Sequence, residues 1–347
     1  MLPREVMHQA QQEFLNFNST GISVMEMSHR SKEYLPIVEK AESNLRTILN
    51  VPKNYKILFL QGGAITQNFM VPMNLLKKRE ASYVVSGYWS NRSFKDAQSL
   101  GNIKLSASSE PNDFKKAPEP ESWKYTKNDA YVHFCQNETI HGVEYFESFN
   151  IKKVPIVCDM SSTILSRPID IKNYGVIYAG AQKNIGPSGL TIVIVNEDLL
   201  LFADEKTPST MNWKIQSENN SMINTPSTFS IYMAGLVFEW IFSHGGLEEI
   251  EKLNIKKSKY LYDFIDESKF YFNEIDHKNR SRMNVPFRLK NEDLTSNFVA
   301  SAESEGLYAL KGHRLVGGLR ASIYNAMPFD GVECLVNFMK DFEKKNA

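Results

Sequence analysis

PIVCDMSSTILSRPIDIKNYGVIYAGAQKNIGPSGLTIVIVN, Pro155 to Asn196, carries three apolar runs, at Pro155 to Cys158, Val176 to Ala179 and Leu190 to Val195. Each is short and apolar on both faces, the pattern of strands buried in a sheet that is covered on two sides. Upstream, Ile57 to Leu60 reads the same way and runs into a Gly-rich turn at Gly62 and Gly63, after which Ala64 to Leu76 is long enough for a helix. Further runs at Tyr83 to Val85 and Ala130 to Phe134 alternate with longer periodic stretches. Strands separated by helices predict an α/β fold with a mainly parallel sheet.

The flanking segments follow from the same reading. Pro3 and Glu5, followed by Val6, Ala10 and Phe14 at helical spacing, predict an amphipathic helix at the amino terminus rather than a signal peptide. Ser108 to Ser122 reads as a surface loop, and the Asn- and Ser-rich stretch Ser209 to Thr228 as an extended one. Phe229 to Phe242 is a strongly apolar helix stopped by His244-Gly245-Gly246. Beyond it, charged helices alternate with single strands at Val285 to Leu289 and Leu319 to Ile323, so we expect a large domain over 1–250 and a smaller α+β domain over 251–347.

Length agrees, since 347 residues exceed one domain of about 150. Lys plus Arg and Asp plus Glu total 40 each, a balance that argues against nucleic acid as a partner. Cys135, Cys158 and Cys334 form no CxxC pair, so neither a disulfide scaffold nor a thiolate metal site is expected. Apolar runs such as Ile192 to Val195 fall far short of a membrane span. The expected compartment is the reducing cytoplasm.

Lys183 lies in a loop between two very apolar strands. An ammonium there is costly unless paired or neutralised, and a lysine that must attack a carbonyl needs such a desolvated place. A solvated loop lysine is the ordinary alternative. Asp159 ends the preceding apolar run, one crossover before Lys183, which puts both at the carboxyl edge of the sheet, where open α/β sheets bind ligands. Pyridoxal phosphate needs this pair: a lysine for the Schiff base and a carboxylate to keep the pyridine nitrogen protonated. Asp159 also reads as a helix cap for the segment that follows it.

The strings CDMSSTILSRPIDI (Cys158 to Ile171) and GAQKNIGPSGLTIVIV (Gly180 to Val195) resemble those of the phosphoserine aminotransferases, pyridoxal-phosphate enzymes of the class V aminotransferase family. The resemblance continues through SVMEMSHRSKE (Ser23 to Glu33), VHFCQNETIHGVEY (Val132 to Tyr145), NTPSTFSIYMAGLVFEW (Asn224 to Trp240) and GHRLVGGLRASIYNAMP (Gly312 to Pro328), covering nearly the whole chain in order. It implies a type I transaminase fold, a homodimer with shared active sites, and pyridoxal 5'-phosphate as cofactor. The implied reaction is reversible amino transfer between L-glutamate and 3-phosphohydroxypyruvate, giving 2-oxoglutarate and O-phospho-L-serine. A different class V transaminase, a desulfurase-like lyase and an inactive dimeric binding protein on the same scaffold are the alternatives. The lyase needs a mobile nucleophilic Cys, for which Cys334 is poorly placed.

By the same resemblance Lys183 binds the cofactor aldehyde, Asp159 faces the ring nitrogen, Trp89 stacks on the ring and Thr139 offers its hydroxyl. Ala64, Ile65 and Gln182 match phosphate-binding positions, as do Asn224 and Thr225, the last two reaching across from the other subunit. Ile65 stands where bacterial members often carry arginine, so it has only its backbone N–H to give. Arg320 is expected to hold the substrate α-carboxylate, and His29, Arg30, His313 and Arg314 a distal anion, partly from the neighbouring subunit. Family members usually carry a further NF-x-AGP-like strand ahead of MLPREV; where that strand shields the site, its absence weakens cofactor or substrate binding rather than the fold.

Overall fold

A computed structural model describes residues 1–147, 151 and 154–346. Its elements run, in order, α1 (Arg4–Glu13), α2 (Leu35–Ile48), β1 (Tyr55–Leu60), α3 (Gly63–Leu75), β2 (Ala81–Val85), α4 (Tyr88–Gln98), β3 (Ile103–Ser108), β4 (Val132–Cys135), β5 (Asn137–Glu138), β6 (Val143–Glu144), β7 (Ile156–Asp159), β8 (Val176–Gly180) and β9 (Thr191–Asn196). The chain continues through α5 (Trp213–Glu218), α6 (Thr228–Ser243), α7 (Gly246–Glu267), β10 (Tyr271–Phe272), β11 (Asn284–Leu289), α8 (Thr295–Ser304), β12 (Leu319–Ser322) and α9 (Phe329–Asn346).

Seven strands form one sheet in the order β1-β9-β8-β7-β4-β2-β3. Successive residues of each strand bury into opposite layers. On β9, Ile192 and Ile194 join the core beneath α2 and α6, whereas Val193 and Val195 join the one beneath α3. Strands apolar on both faces therefore need helices on both sides, and this chain supplies them. The sheet is parallel from β3 through β8, and only β9 runs against its neighbours. Residues 181–190, which join β8 to β9, are too few for a crossover helix, so the chain folds straight back.

That reversal leaves β1, β2, β4, β7 and β8 all ending at one edge. A second sheet, β10-β11-β12, packs with α7, α8 and α9 around its own apolar core, drawn from Leu261 to Phe342. Residue 250 falls inside α7, so the chain passes from one layer to the other along a continuous helix.

The loop expected over Ser209 to Thr228 is corrected. It contains α5, because Trp213 is fully buried in the core beneath α3 and the Asn212 side chain accepts from Lys214 N at 3.0 Å and Ile215 N at 3.2 Å. Asparagine there caps a helix instead of breaking one. Among the described residues no helix is long and apolar enough to cross a membrane.

Candidate active site

Five strand ends at the common edge carry the residues picked out in sequence. Asp159 is the last residue of β7, in register with Cys135 of β4 and Tyr178 of β8. Lys183 lies in the turn three residues past the end of β8, so the two groups sit at the ends of adjacent parallel strands. Asp159 Oδ1 accepts from Ser161 N at 2.8 Å, and Ser161 Oγ accepts from Gly180 N at 3.1 Å, which ties the two strand ends together. Burial pushes the Asp159 carboxyl above its usual range, against the pull of the Lys183 charge and the Ser161 hydrogen bonds. No ion pair closes between Asp159 and Lys183 among the described residues. A carboxylate so placed favours a further cation beside it.

Trp89 lies in the first turn of α4, and its indole Nε1 donates to Thr139 Oγ1 at 2.9 Å. The Thr139 carbonyl in turn accepts from Arg320 Nη1 at 3.1 Å. An aromatic side chain, a hydroxyl and a guanidinium from three distant segments thus meet just past β4, whose Cys135 is in register with Asp159. At the turn after β1, Gly62 has φ +92°, a left-handed conformation that glycine enters freely, and α3 begins with no side-chain cap. The first-turn amides of Ala64 and Ile65 are left to bind an anion from outside the chain. Gln182 is exposed at the same edge. An uncapped helix start, a carboxylate lacking a full counter-charge, a lysine and an aromatic face make a donor set that fits pyridoxal phosphate.

The distal residues are only partly assembled. His313 lies in the loop before β12, its ring 6.0 Å from that of Tyr88, the neighbour of Trp89; Arg314 is exposed beside it. Arg288 of β11 donates to the Val316 carbonyl of this loop and, on its own side, to Glu292 Oε1 at 2.7 Å. A cavity of about 510 Å³ lined by His141, Arg288, Leu315 and Val316 flanks it. His29 and Arg30 lie ahead of α2, and among the described residues no hydrogen bond, ion pair or ring contact joins them to His313 or Arg314. His29 Nε2 is buried without a partner and Arg30 is exposed. Asn224 and Thr225 are exposed and border Gln61 of their own chain, whose Nε2 donates to the Thr225 carbonyl at 2.9 Å.

Two groups escaped the sequence reading. Glu138 is fully buried and accepts from Trp89 N (2.9 Å), Ser90 N (2.7 Å) and Ser90 Oγ (2.6 Å), closing the start of α4. An ideal Cβ on Gly87 would lie 2.5 Å from that carboxylate, which explains the glycine. Nothing local announces this cap, because helix and carboxylate are far apart in sequence. His141 is the other. Its Nδ1 accepts from Tyr88 N at 3.4 Å, and burial followed by the nearby His313 lowers its pKa to about 4.

We expect Glu138→Ala to cost about 2–4 kcal/mol of stability, since it strips three donors of one acceptor. Loosening Trp89 should also weaken cofactor binding by about tenfold, or ~1.4 kcal/mol. Denaturant unfolding and equilibrium dialysis measure the two effects. Unchanged cofactor affinity would mean that α4 holds Trp89 unaided.

Comparison with known proteins agrees with this geometry. The model of the class-V aminotransferases matches residues 1–335. A phosphoserine aminotransferase of Janthinobacterium sp. (strain Marseille) is 52% identical over 348 residues, 99% of this chain and 96% of that one. The solved structure of the Bacillus circulans subsp. alkalophilus phosphoserine aminotransferase superposes with a TM-score of 0.98 at 45% identity, covering 100% of this chain and 97% of that one. The pyridoxal-phosphate-bound enzyme of Trichomonas vaginalis gives 0.94 at 38% identity, over 98% and 97%. With full-length matches of this kind and a pyridoxal-phosphate donor set at its sheet edge, the chain belongs to the class-V aminotransferase family, among the phosphoserine aminotransferases.

Proposed function

We infer that Lys183, Asp159, Trp89, Thr139 and Arg320 form the catalytic centre for amino transfer between L-glutamate and 3-phosphohydroxypyruvate, giving 2-oxoglutarate and O-phospho-L-serine. The observation that carries this is the union, at one sheet edge, of the Asp159–Lys183 strand ends with the Trp89–Thr139–Arg320 hydrogen-bond chain. When bound, pyridoxal phosphate supplies an electrophilic carbon for amines and a ring that accepts electrons from the substrate Cα–H bond. Lys183 would hold the cofactor between turnovers, and its free amine would carry a proton to and from the substrate α-carbon. Asp159 keeps the ring nitrogen protonated. Trp89 covers the ring face, and Ala64, Ile65 and Gln182 hold the phosphate through backbone and amide N–H groups.

Arg320 pairs with the α-carboxylate, where a guanidinium fork matches two oxygens. His313 and Arg314 hold the distal phosphate or γ-carboxylate, joined by His29 and Arg30 of the partner subunit in a homodimer. Asn224 and Thr225 reach the partner's cofactor phosphate in the same way. Two features support the shared site among the described residues: no hydrogen bond, ion pair or ring contact joins His29 or Arg30 to His313 or Arg314 within one chain, and His29 Nε2 has no hydrogen-bond partner. We assign residues 1–250 to the cofactor-binding domain and 251–347 to the smaller one. The three free thiols suit the cytoplasm.

Substrate preference tests the distal site. Alanine or unphosphorylated serine would leave its cations unpaired, so both should react at least about a hundredfold worse than phosphoserine or glutamate. Arg320→Ala should hurt every amino acid alike, whereas Arg30→Ala and Arg314→Ala should shrink the gap between phosphoserine and serine. The measurement is kcat/KM for the four amino acids in each variant. Equal losses on serine and phosphoserine in the Arg30 and Arg314 variants would place the phosphate elsewhere.

A further inference from the structure

We propose that Asn184 is a positioning residue for amino transfer: its side-chain amide fixes Lys183 against Asp159 and ties both to the strand that carries Arg320. Asn184 is the chain neighbour of Lys183 and is buried. Its Oδ1 accepts from the backbone N–H of Asn325, just beyond β12, at 3.1 Å. Its Nδ2 donates to the carbonyls of Ser162 (3.3 Å) and Ile164 (3.2 Å), in the turn that leaves Asp159. One amide therefore bridges three segments, each bearing a residue of the site.

The turn itself explains why such a bridge is needed. Residues 160–167 are buried yet form neither helix nor strand, and Leu165 has φ +62°. A leucine stays in that left-handed region only where its surroundings hold it. Three asparagines from three elements do so. Asn325 Nδ2 donates to the Leu165 carbonyl at 2.7 Å, and Asn254 of α7 donates to the Ser166 carbonyl at 3.1 Å and to Asn325 Oδ1 at 2.8 Å. Lys257, also on α7, donates to the carbonyls of Ile323, Tyr324 and Met327 and anchors the segment around Asn325.

Asn254 grips the same turn and, among the described residues, makes no hydrogen bond to the Lys183 loop, so it separates positioning from mere support. Asp at 184 would aim a carboxylate at two carbonyls, and Ala would leave two acceptors and one donor bare.

This inference rests on Lys183 as the cofactor-binding lysine, which borohydride reduction of the parent holoenzyme checks independently. The experiment compares Asn184→Ala with Asn254→Ala as purified holoenzymes. It measures Tm, kcat and KM with glutamate and with phosphoserine, and the rate at which borohydride fixes cofactor to Lys183. Both variants should melt earlier. Only Asn184→Ala should lose kcat, by about tenfold or more with both donors, with slower labelling of Lys183 and little change in KM. Should Asn184→Ala not fold, Asn184→Ser, which keeps one donor, carries the same comparison, and Asn184→Asp, which keeps only the acceptor for Asn325 N, should not restore kcat. A kcat and labelling rate in the Asn184 variant within about twofold of the parent, or a kcat loss no greater than that of Asn254→Ala, overturns the proposal. Label on another lysine of the parent overturns the site assignment and this proposal with it.

Discussion

Replacing Lys183 by Ala should leave a folded protein that binds cofactor reversibly and has lost amino transfer by at least about a thousandfold, the upper part of the range for removing a positioned acid–base group. The fold should survive because Lys183 is only partly buried and makes no ion pair among the described residues. Cofactor should remain bound, though more loosely, because the amides at the start of α3, Trp89 and Asp159 do not depend on the lysine. The parent, loaded with cofactor, should absorb in the visible, change its spectrum on adding glutamate, and retain cofactor covalently on Lys183 after borohydride reduction. In Lys183→Ala the reduced cofactor should dialyse away. Peptide mapping that finds the label on a different lysine would remove Lys183 from the mechanism.

Asp159→Asn should cost about a hundredfold to a thousandfold in kcat, comparable to removing one preorganised electrostatic partner. The replacement keeps shape and can still accept from Ser161 N, so packing and cofactor placement should persist. What disappears is the negative charge that holds a proton on the ring nitrogen. The parent's own pH dependence gives a second check. Burial raises the Asp159 pKa in the free chain, so its carboxylate takes up a proton at higher pH than an ordinary aspartate. Cofactor affinity of the parent should therefore fall as pH drops through that raised pKa, and Asp159→Asn should be flat over the same interval. Binding titrations across pH measure this. A mutant with nearly normal turnover would show that another group keeps the ring protonated.

Much of this molecule was legible without coordinates. The apolar runs around Val157, Ile177 and Val193 determined a sheet buried on both faces, because a strand apolar on two sides cannot face water. The placement of Asp159 and Lys183 was legible for a related reason: a charge at or just past the end of an apolar run sits at a strand terminus, and such positions on parallel strands share an edge. The antiparallel direction of β9 could have been read from the short 181–190 loop. The helix at Trp213 could not, because its stability comes from burying one indole in a core supplied by distant strands rather than from anything in the Asn- and Ser-rich stretch around it.

Only the tertiary structure decided the rest of the site. Glu138 caps a helix that lies far from it in sequence, Thr139 links Trp89 to Arg320, and the asparagines 184, 254 and 325 hold a turn around Leu165 from three separate elements. These are hydrogen bonds between polar groups brought together and dried by folding. Sequence determines where apolar surface must be buried, since that is a property of each segment. The partner of a buried polar group is a property of the pair, and it exists only once the chain has closed.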